Sequence, residues 1–548
     1  MSIKISINNL VKEYPTGTAL LEISHEYEQD FVTPLVAATV NGAEKSLLYP
    51  LEKDANVKFI PLQSAIGLRI YARSLLFVLQ IVLERLGLNS EFDVKSNLQN
   101  SIYCKLDLDA PADANLIKVI KKSMQDIIHQ DAIIEYHSAS KNNACAALKA
   151  TCNASLINFV ELIEPIKQDT ISYYKCLDSI NYFFSPLVPS TGYLKVFDVM
   201  AYRDGVLIQF PEMADVHTLQ PYVDRPKLAT TYTEAEDWAE LIGCRNISDL
   251  NKKIKNNEFD EIISVSEALH EKKISEIAAF IAKQLDTKRL ILIAGPSSSG
   301  KTTTAERLRI HLRVNGINPV SISVDDYFLN REQTPRDEQG NYDFENIHAL
   351  DLPLFNEHLR RILDGERVKL PTFNFIQGCR EYRGNSIQIN EHQPIIIEGI
   401  HALNDQLTAD IDLDKKLKVY VSAITGIAFN NYNRIPTTDC RLIRRIVRDS
   451  QFRSHDALQT LRMWPSVRAG EEKNIFPYQE DADIVFNTSL IYELAVLKQY
   501  ATKLLEVIDC EQPEYSEAVR LLNLLGHVQE LDHFNIPDNS ILKEFIGK

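Results

Sequence analysis

The sequence predicts a multidomain α/β protein whose main unit is a parallel sheet with helices on both faces. Three observations predict this. The chain has 548 residues, which at about 150 per domain makes about three or four domains. From residue 287 to about 500, continuous apolar runs alternate with helical patterns, as strands buried on both faces do. Near the N-terminus the pattern is instead a strict alternation of apolar and polar residues.

The elements follow in chain order. Residues 1–62 read as a small β-rich module: Ile3, Ile5 and Ile7 alternate with polar residues, Val40-Asn41-Gly42 reads as a hairpin turn, and Val57 to Leu62 is a closing apolar run. Residues 63–225 read as an α+β domain. Ile66 to Leu86 is a helix with Leu68, Tyr71, Leu75, Leu79, Val82 and Leu86 on one stripe, and Leu116 to Ile128 is a second helix. Tyr193 to Phe197 and Gly205 to Phe210 read as strands around the turn Tyr202-Arg203-Asp204-Gly205. Residues 226–286 are charged and helix-forming, with Ile262 to Leu285 leading into the next domain. The strands expected in 287–500 are Arg289–Ala294, Pro319–Val324, Pro394–Ile397, Leu417–Ser422 and Asp483–Phe486. Residues 501–548 read as a helical segment packed back on that domain.

Composition narrows the classes of function. The charge sum is 59 − 75 = −16, which argues against a general nucleic-acid coat. At 45% hydrophobic and 24% charged the chain can bury real cores. The most apolar stretch, Leu75 to Leu83, is broken by Gln80 and bounded by Arg73 and Glu84, so no membrane span is expected. The N-terminal residues lack a signal-peptide core, and the eight cysteines include no C-x-x-C pair; reduced thiols in a cytoplasmic protein are expected.

The chemistry starts at residue 290. Leu290–Ala294 runs into Gly295-Pro296-Ser297-Ser298-Ser299-Gly300-Lys301-Thr302, the spacing G-x-x-x-x-G-K-[ST] of a phosphate loop. The two glycines let successive N–H groups turn inward onto phosphate oxygens. Lys301 carries charge to the β and γ phosphates. The Thr302 hydroxyl suits Mg²⁺, and the following helix, entered through Thr303, offers its positive end. Nucleotide phosphates, as ATP with Mg²⁺, are the expected cofactors; GTP is left open as donor.

Two acids end strands in this domain, where ligands of open α/β sheets bind. Asp325, ahead of Asp326 and Tyr327, suits a general base that takes a proton from an attacking hydroxyl. Glu398, after Pro394–Ile397, suits a carboxylate holding Mg²⁺ directly or through water. Downstream, Arg441, Arg444, Arg445, Arg448 and Arg453 crowd into thirteen residues with Asp449 as the only acid. Guanidinium groups stabilise the charge that spreads over a transferring phosphoryl group, and a lid carrying them would exclude water. Between the first two strands and Glu398 lie Tyr342-Asp-Phe344-Glu345 and Pro371-Thr-Phe373-Asn-Phe375, then Arg380. These suit an acceptor pocket for a ring-and-sugar molecule, or equally an aromatic core. The segment Asp483 to Asn487 is an expected neighbour of the nucleotide base.

Taken together, Gly295–Thr302, Asp325-Asp-Tyr-Phe328, Tyr342-Asp-Phe-Glu345, Ile397-Glu-Gly399 and Arg441 to Asp449 make residues 288–500 resemble the uridine kinase and phosphoribulokinase group of P-loop kinases. The resemblance covers about two-fifths of the chain. It implies that Asp325 is the catalytic base, and that Tyr327, Phe344, Glu345, Phe373, Phe375, Arg380 and Arg453 face the acceptor. It also implies that Arg445 and Arg448 act with Lys301 on the phosphates. Two positions depart from the group: Gly378 stands where uridine kinases carry a base-reading His, and His455 where they carry another lid arginine. Residues 1–62 resemble a TGS domain, a β-grasp-like module. Residues 63–225 distantly resemble the second additional (editing) domain of threonyl-tRNA synthetases, without the H-x-x-x-H metal ligands.

The expected activity is ATP- and Mg²⁺-dependent phosphorylation of a small-molecule hydroxyl, foremost the 5′-hydroxyl of a nucleoside such as uridine or cytidine. A sugar or polyol acceptor is the alternative that Gly378 motivates. A nucleotide-switched regulator contacting RNA or the ribosome through the N-terminal modules is the alternative from another class. Homo-oligomerisation is left open.

Overall fold

The computed structural model describes residues 2–547, except 9, 89–91, 99, 109–111, 150–158, 337–339, 341, 375 and 376. The N-terminal module is a five-stranded sheet in the spatial order Leu10–Pro15, Ser2–Ile7, Ala55–Pro61, Leu35–Val40, Ala43–Lys45. Ser2–Ile7 runs parallel to Ala55–Pro61, and the other neighbours are antiparallel. Ile3, Ile5 and Ile7 face a core that also holds Leu20, Ile23, Leu47 and Phe59, so the period-2 pattern has a real inner face. Asn41 and Gly42 form the expected turn, both at positive φ, with Val40 paired to Ala43.

The next domain is built on the helix Ala65–Arg85, capped by the Ser64 hydroxyl, which accepts the N–H of Gly67. The sequence suggested one apolar stripe. The helix is instead buried all round over its middle turns, with Phe77, Val78 and Ile81 as covered as Leu75, Leu79 and Val82. Leu86 lies beyond its end and is 36% exposed. By length and hydropathy this helix could cross a membrane, but 78% of its apolar window is buried inside the protein. It packs on the helix Ala114–His129 and shares a core with a four-stranded antiparallel sheet in the order Asp198–Tyr202, Gly205–Gln209, Ser101–Leu106, Phe92–Asn97. The hairpin at Arg203-Asp204 is as expected, with Tyr202 paired to Gly205. The strand expected at Tyr193 to Phe197 is absent: Thr191–Tyr193 is a 3₁₀ turn and the strand starts at Asp198. The Tyr71 hydroxyl donates to the Val196 carbonyl at 3.0 Å and accepts its N–H at 2.8 Å, so that backbone is satisfied without a neighbouring strand.

Helices Pro226–Ile242, Ile247–Lys255 and Phe259–Ala282 follow, and they share one core with the sheet beyond. That sheet has five parallel strands in the order Val320–Ser323, Ile395–Glu398, Leu290–Ala294, Lys416–Ser422, Ile484–Asn487. Within the central strand, Ile291 and Ile293 point into the core containing Phe259–Ala282 and the C-terminal helices. Leu290, Leu292 and Ala294 point into the opposite core with Phe355, Leu359 and Leu407. Both faces are covered, which is why the strand reads as an unbroken apolar run. Helices Glu493–Leu505 and Tyr515–Gly526 pack back as expected, while 527–542 contains no helix.

The α+β domain joins this unit at a polar-aromatic seam. The Tyr182 hydroxyl meets Nε2 of His527 at 2.8 Å, and the Phe184 ring stacks on Phe429 with centroids 4.8 Å apart. Burial pushes the His527 imidazole down to about 4, so this ring is neutral.

Candidate active site

The central strand delivers the chain into the phosphate loop. A Cβ at Gly295 would strike the Val421 carbonyl of the neighbouring strand, so the loop leaves the sheet edge by a path only glycine allows. Ser298 and Gly300 both take positive φ, and the helix Lys301–Val314 begins at once. Its first N–H groups have no intrahelical partner and point at the loop's mouth. Lys301 Nζ lies 3.1 Å from the Pro296 carbonyl, folded back over the loop.

Three carboxylates gather around Lys301: Glu398, Asp325 and Glu544 each raise its pKa, against burial, which dominates and lowers it. Burial likewise raises the Asp325 carboxyl, with Lys301 and Arg453 opposing. Glu398 is pushed up to about 7 by burial and then by the like charge of Asp325. Asp326, by contrast, accepts the N–H of Phe373 at 3.1 Å, fixing the hairpin Thr372–Asn374/Cys379–Glu381. The two adjacent acids thus have separate tasks, and Asp325 is the one beside the lysine.

These residues fit Mg²⁺. The Thr302 hydroxyl lies 3.5 Å from both oxygens of Glu398, and Ser323 Oγ lies 3.4 Å from one of them. Glu398 and Asp325 repel each other, a charge that a divalent cation between Thr302 and Glu398 would relieve. Among the described residues no group of three or more His, Cys, Asp or Glu is placed to cage a metal. Mg²⁺ needs no such cage, because it keeps waters and takes substrate phosphate oxygens as ligands.

The arginines divide by burial. All but the last lie on the helix Thr437–Phe452, with Arg453 as its C-cap; the helix is a core element rather than a free lid, since Cys440 to Val447 are buried. Arg441 makes a bidentate pair with Glu471 at 2.7 and 2.6 Å. Arg444 bonds Glu493 and the Thr488 carbonyl. Both are structural. Arg445 Nη1 donates to Ser297 Oγ at 2.7 Å, reaching the phosphate loop itself. Arg445, Arg448 and Arg453 share the buried carboxylate of Asp449, at 3.2, 2.7 and 3.8 Å. Arg453 remains 54% exposed at the helix end.

The acceptor residues expected from sequence are only partly brought together. Glu345 is held by its backbone carbonyl, which accepts Asn474 Nδ2 at 2.8 Å. Its carboxyl is pushed up to about 7 by burial and by Glu471, with Arg445 and Lys301 opposing. Phe344 is 41% exposed beside Tyr342. Phe373 is buried against Phe328, and Phe375 lies outside the described residues. Tyr327 is a correction: its ring is 1% exposed, edge-on to Phe355, with its hydroxyl 3.1 Å from His358 Nδ1, so it belongs to the core. Arg380 is held by Asp351, one of whose oxygens takes both Nη groups at 2.9 Å. In the segment Asp483 to Asn487, the expected neighbour of the nucleotide base, both end residues have partners within the protein. Asp483 bonds the N–H of Lys418 and pairs with Lys288, while the Asn487 amide is locked to both backbone groups of Ile424.

Gly378 has a backbone reason. Its φ is +68°, its carbonyl accepts Arg331 N–H at 2.8 Å, and a Cβ there would lie 2.8 Å from Arg331 Nε. Three residues near the loop were not singled out from sequence. Glu471 Oε1 accepts the Ser297 N–H at 3.0 Å, and Glu544 accepts from Thr303. His401 is buried close to Glu345 and held down to about 4 by burial. Only His401 left a local trace, three residues after Glu398; the two glutamates act across long sequence separations.

With the loop, its flanking strands and its acids in place, the comparison with known proteins is direct. Residues 290–492 match the phosphoribulokinase / uridine kinase family. A stretch of 197 residues is 26% identical to the uridine kinase of Deinococcus deserti, covering 36% of this chain and 86% of that protein. The N-terminal region matches threonine–tRNA ligases. With that of Desulforamulus reducens it shares 29% identity over 201 residues, 36% of this chain. The chain spans 31% of that ligase's length, so the likeness concerns modules rather than the whole enzyme. Among solved structures, D-glycerate 3-kinase from Cryptococcus neoformans is 14% identical, covers 47% of this chain and 90% of its own, and superposes with a TM-score of 0.23.

Proposed function

We propose that this protein transfers the terminal phosphoryl group of ATP to a hydroxyl of a small molecule, foremost the 5′-hydroxyl of a nucleoside. The observation that carries the reading is Asp325: a part-buried carboxylate at a strand end, in the field of Lys301, beside a glycine-rich loop opening a helix. In this scheme the loop amides and Lys301 bind the donor phosphates, and Thr302 with Glu398 holds Mg²⁺. The acceptor oxygen attacks the γ-phosphorus, its proton passes to Asp325, and the bond to the bridging oxygen breaks to leave ADP. Mg²⁺, when bound, neutralises charge on the phosphates. Arg445, already bonded to Ser297, and Arg448 stabilise the oxygens of the transferring group, and Arg453 stands at the solvent edge. Glu345 suits an acceptor hydroxyl, and Phe344 a ring.

Gly378 favours a second acceptor class. A residue with left-handed backbone in contact with Arg331 supplies no side chain to read a pyrimidine edge, which suits a sugar or polyol. The test is ADP release with Mg-ATP across nucleosides, sugars and polyols, with Lys301→Ala as the blank. Turnover with uridine or cytidine supports the nucleoside reading, and turnover confined to sugars or polyols supports the second. Silence throughout would sink the kinase reading.

A further inference from the structure

The phosphate loop does not stand open; a segment from outside the family-matching region lies on it. Residues 540–546 pack into the same core as the sheet, with Ile541, Leu542 and Phe545 fully buried. Three of their contacts fall on the loop and its support. A Cβ on Gly300 would lie 3.1 Å from the Ile541 side chain. The Phe545 ring sits 5.0 Å from the guanidinium of Arg444, which also bonds the Ser298 carbonyl. Between these two anchors, Glu544 Oε2 accepts the Thr303 N–H at 3.3 Å and the Thr303 hydroxyl at 2.7 Å.

Thr303 is the third residue of the helix Lys301–Val314. Its N–H is one of the orphan donors through which a phosphate loop holds the α and β phosphates. A carboxylate of the protein therefore occupies an amide of the kind that holds the donor, and is fixed there by the neighbouring Thr303 hydroxyl. It also adds a third negative charge beside Lys301, after Glu398 and Asp325. A nucleotide phosphate arriving at Thr303 meets an anion bonded to the same groups, and the two cannot hold them together.

We propose that Glu544 is a built-in competitor for the donor's phosphates, seated on Thr303 until a nucleotide displaces it. This rests on the donor-site reading above and concerns regulation of that site. Because Ile541 and Phe545 anchor the segment on either side, displacement needs only the Glu544 side chain to swing out. The segment then acts as a strap whose charge sets the donor concentration needed to fill the site.

The experiment is the Kd for Mg-ATP of the full chain by titration calorimetry, comparing wild type, Glu544→Gln and Glu544→Asp, with Lys301→Ala as the blank. Glu544→Gln keeps the shape and removes the charge, and its Kd should fall at least about fivefold. Glu544→Asp keeps the charge but draws it back by one methylene from Thr303, and its Kd should fall by less. If the glutamine variant does not fold, the aspartate variant decides on the same terms. An unchanged or higher Kd in a folded variant, with wild type binding Mg-ATP, overturns the competitor and leaves the donor site standing. No binding by wild type or either variant overturns the donor site, and the competitor with it.

Discussion

Glu471 Oε1 lies 3.0 Å from the backbone nitrogen of Ser297 and thereby ties the phosphate loop to a helix 174 residues further along the chain. The same carboxylate takes both Nη groups of Arg441 and one of Arg468. Glu471 and Arg441 are each 1% exposed, so the pair has no water to fall back on. Replacing Glu471 by Gln leaves Arg441 buried without its counter-charge, a change that costs about 3–5 kcal/mol. Urea denaturation should show a large drop in midpoint. A midpoint within error of wild type would mean that Arg441 finds another partner.

Asp325→Asn keeps the shape of the strand end and leaves Lys301, Thr302 and Thr303 in place. Mg-ATP should still bind, while turnover falls at least about 100-fold, the lower scale of general-base catalysis. Wild-type turnover in this variant would remove Asp325 from the mechanism.

Glu345 offers a pH test. Its carboxyl is pushed up to about 7 from the ordinary 4.5 of a glutamate, by burial first and then by Glu471. Between those values the folded protein keeps a proton that the unfolded chain has released. The contribution of this group to stability therefore falls as pH rises through that window. The thermal midpoint of wild type should decline more steeply from pH 5 to 7.5 than that of Glu345→Gln. Parallel slopes would show that Glu345 ionises normally.

Gly378→His would place at this position the residue type that uridine kinases carry there. The left-handed backbone and the Arg331 contact make it a strained site, with a cost of about 1–2 kcal/mol from the backbone alone. Lower stability without a gain in uridine turnover is expected. A lower KM or a higher kcat for uridine would show that the turn can re-form around a side chain.

Much of the fold could be read from residues alone, for a physical reason. Each strand of the parallel sheet is apolar on both faces, so Leu290–Ala294 and Ile395–Glu398 announce themselves without any partner in view. Asp325 and Glu398 were legible because a strand end fixes where an acid must sit. What failed were readings that depend on which neighbour arrives. Helical spacing grouped the arginines but could not separate Arg441 and Arg444, buried in ion pairs, from Arg445, which reaches Ser297. The resemblance put Tyr327 at the acceptor, yet Phe355 and His358 enclose it. The 193–197 segment had strand-like residues, but the Tyr71 hydroxyl took the backbone of Val196. Glu471 and Glu544 left no local signal at all.

The seam at Tyr182 and His527 has a consequence for synthesis of the chain. The two residues are 345 positions apart. At about 5–20 residues per second, roughly 20–70 s pass between the emergence of one partner and that of the other. Phe184 lacks Phe429 for the earlier part of that interval and His527 for all of it. The α+β domain must therefore wait, during synthesis, with part of an aromatic face uncovered until the far end of the chain arrives.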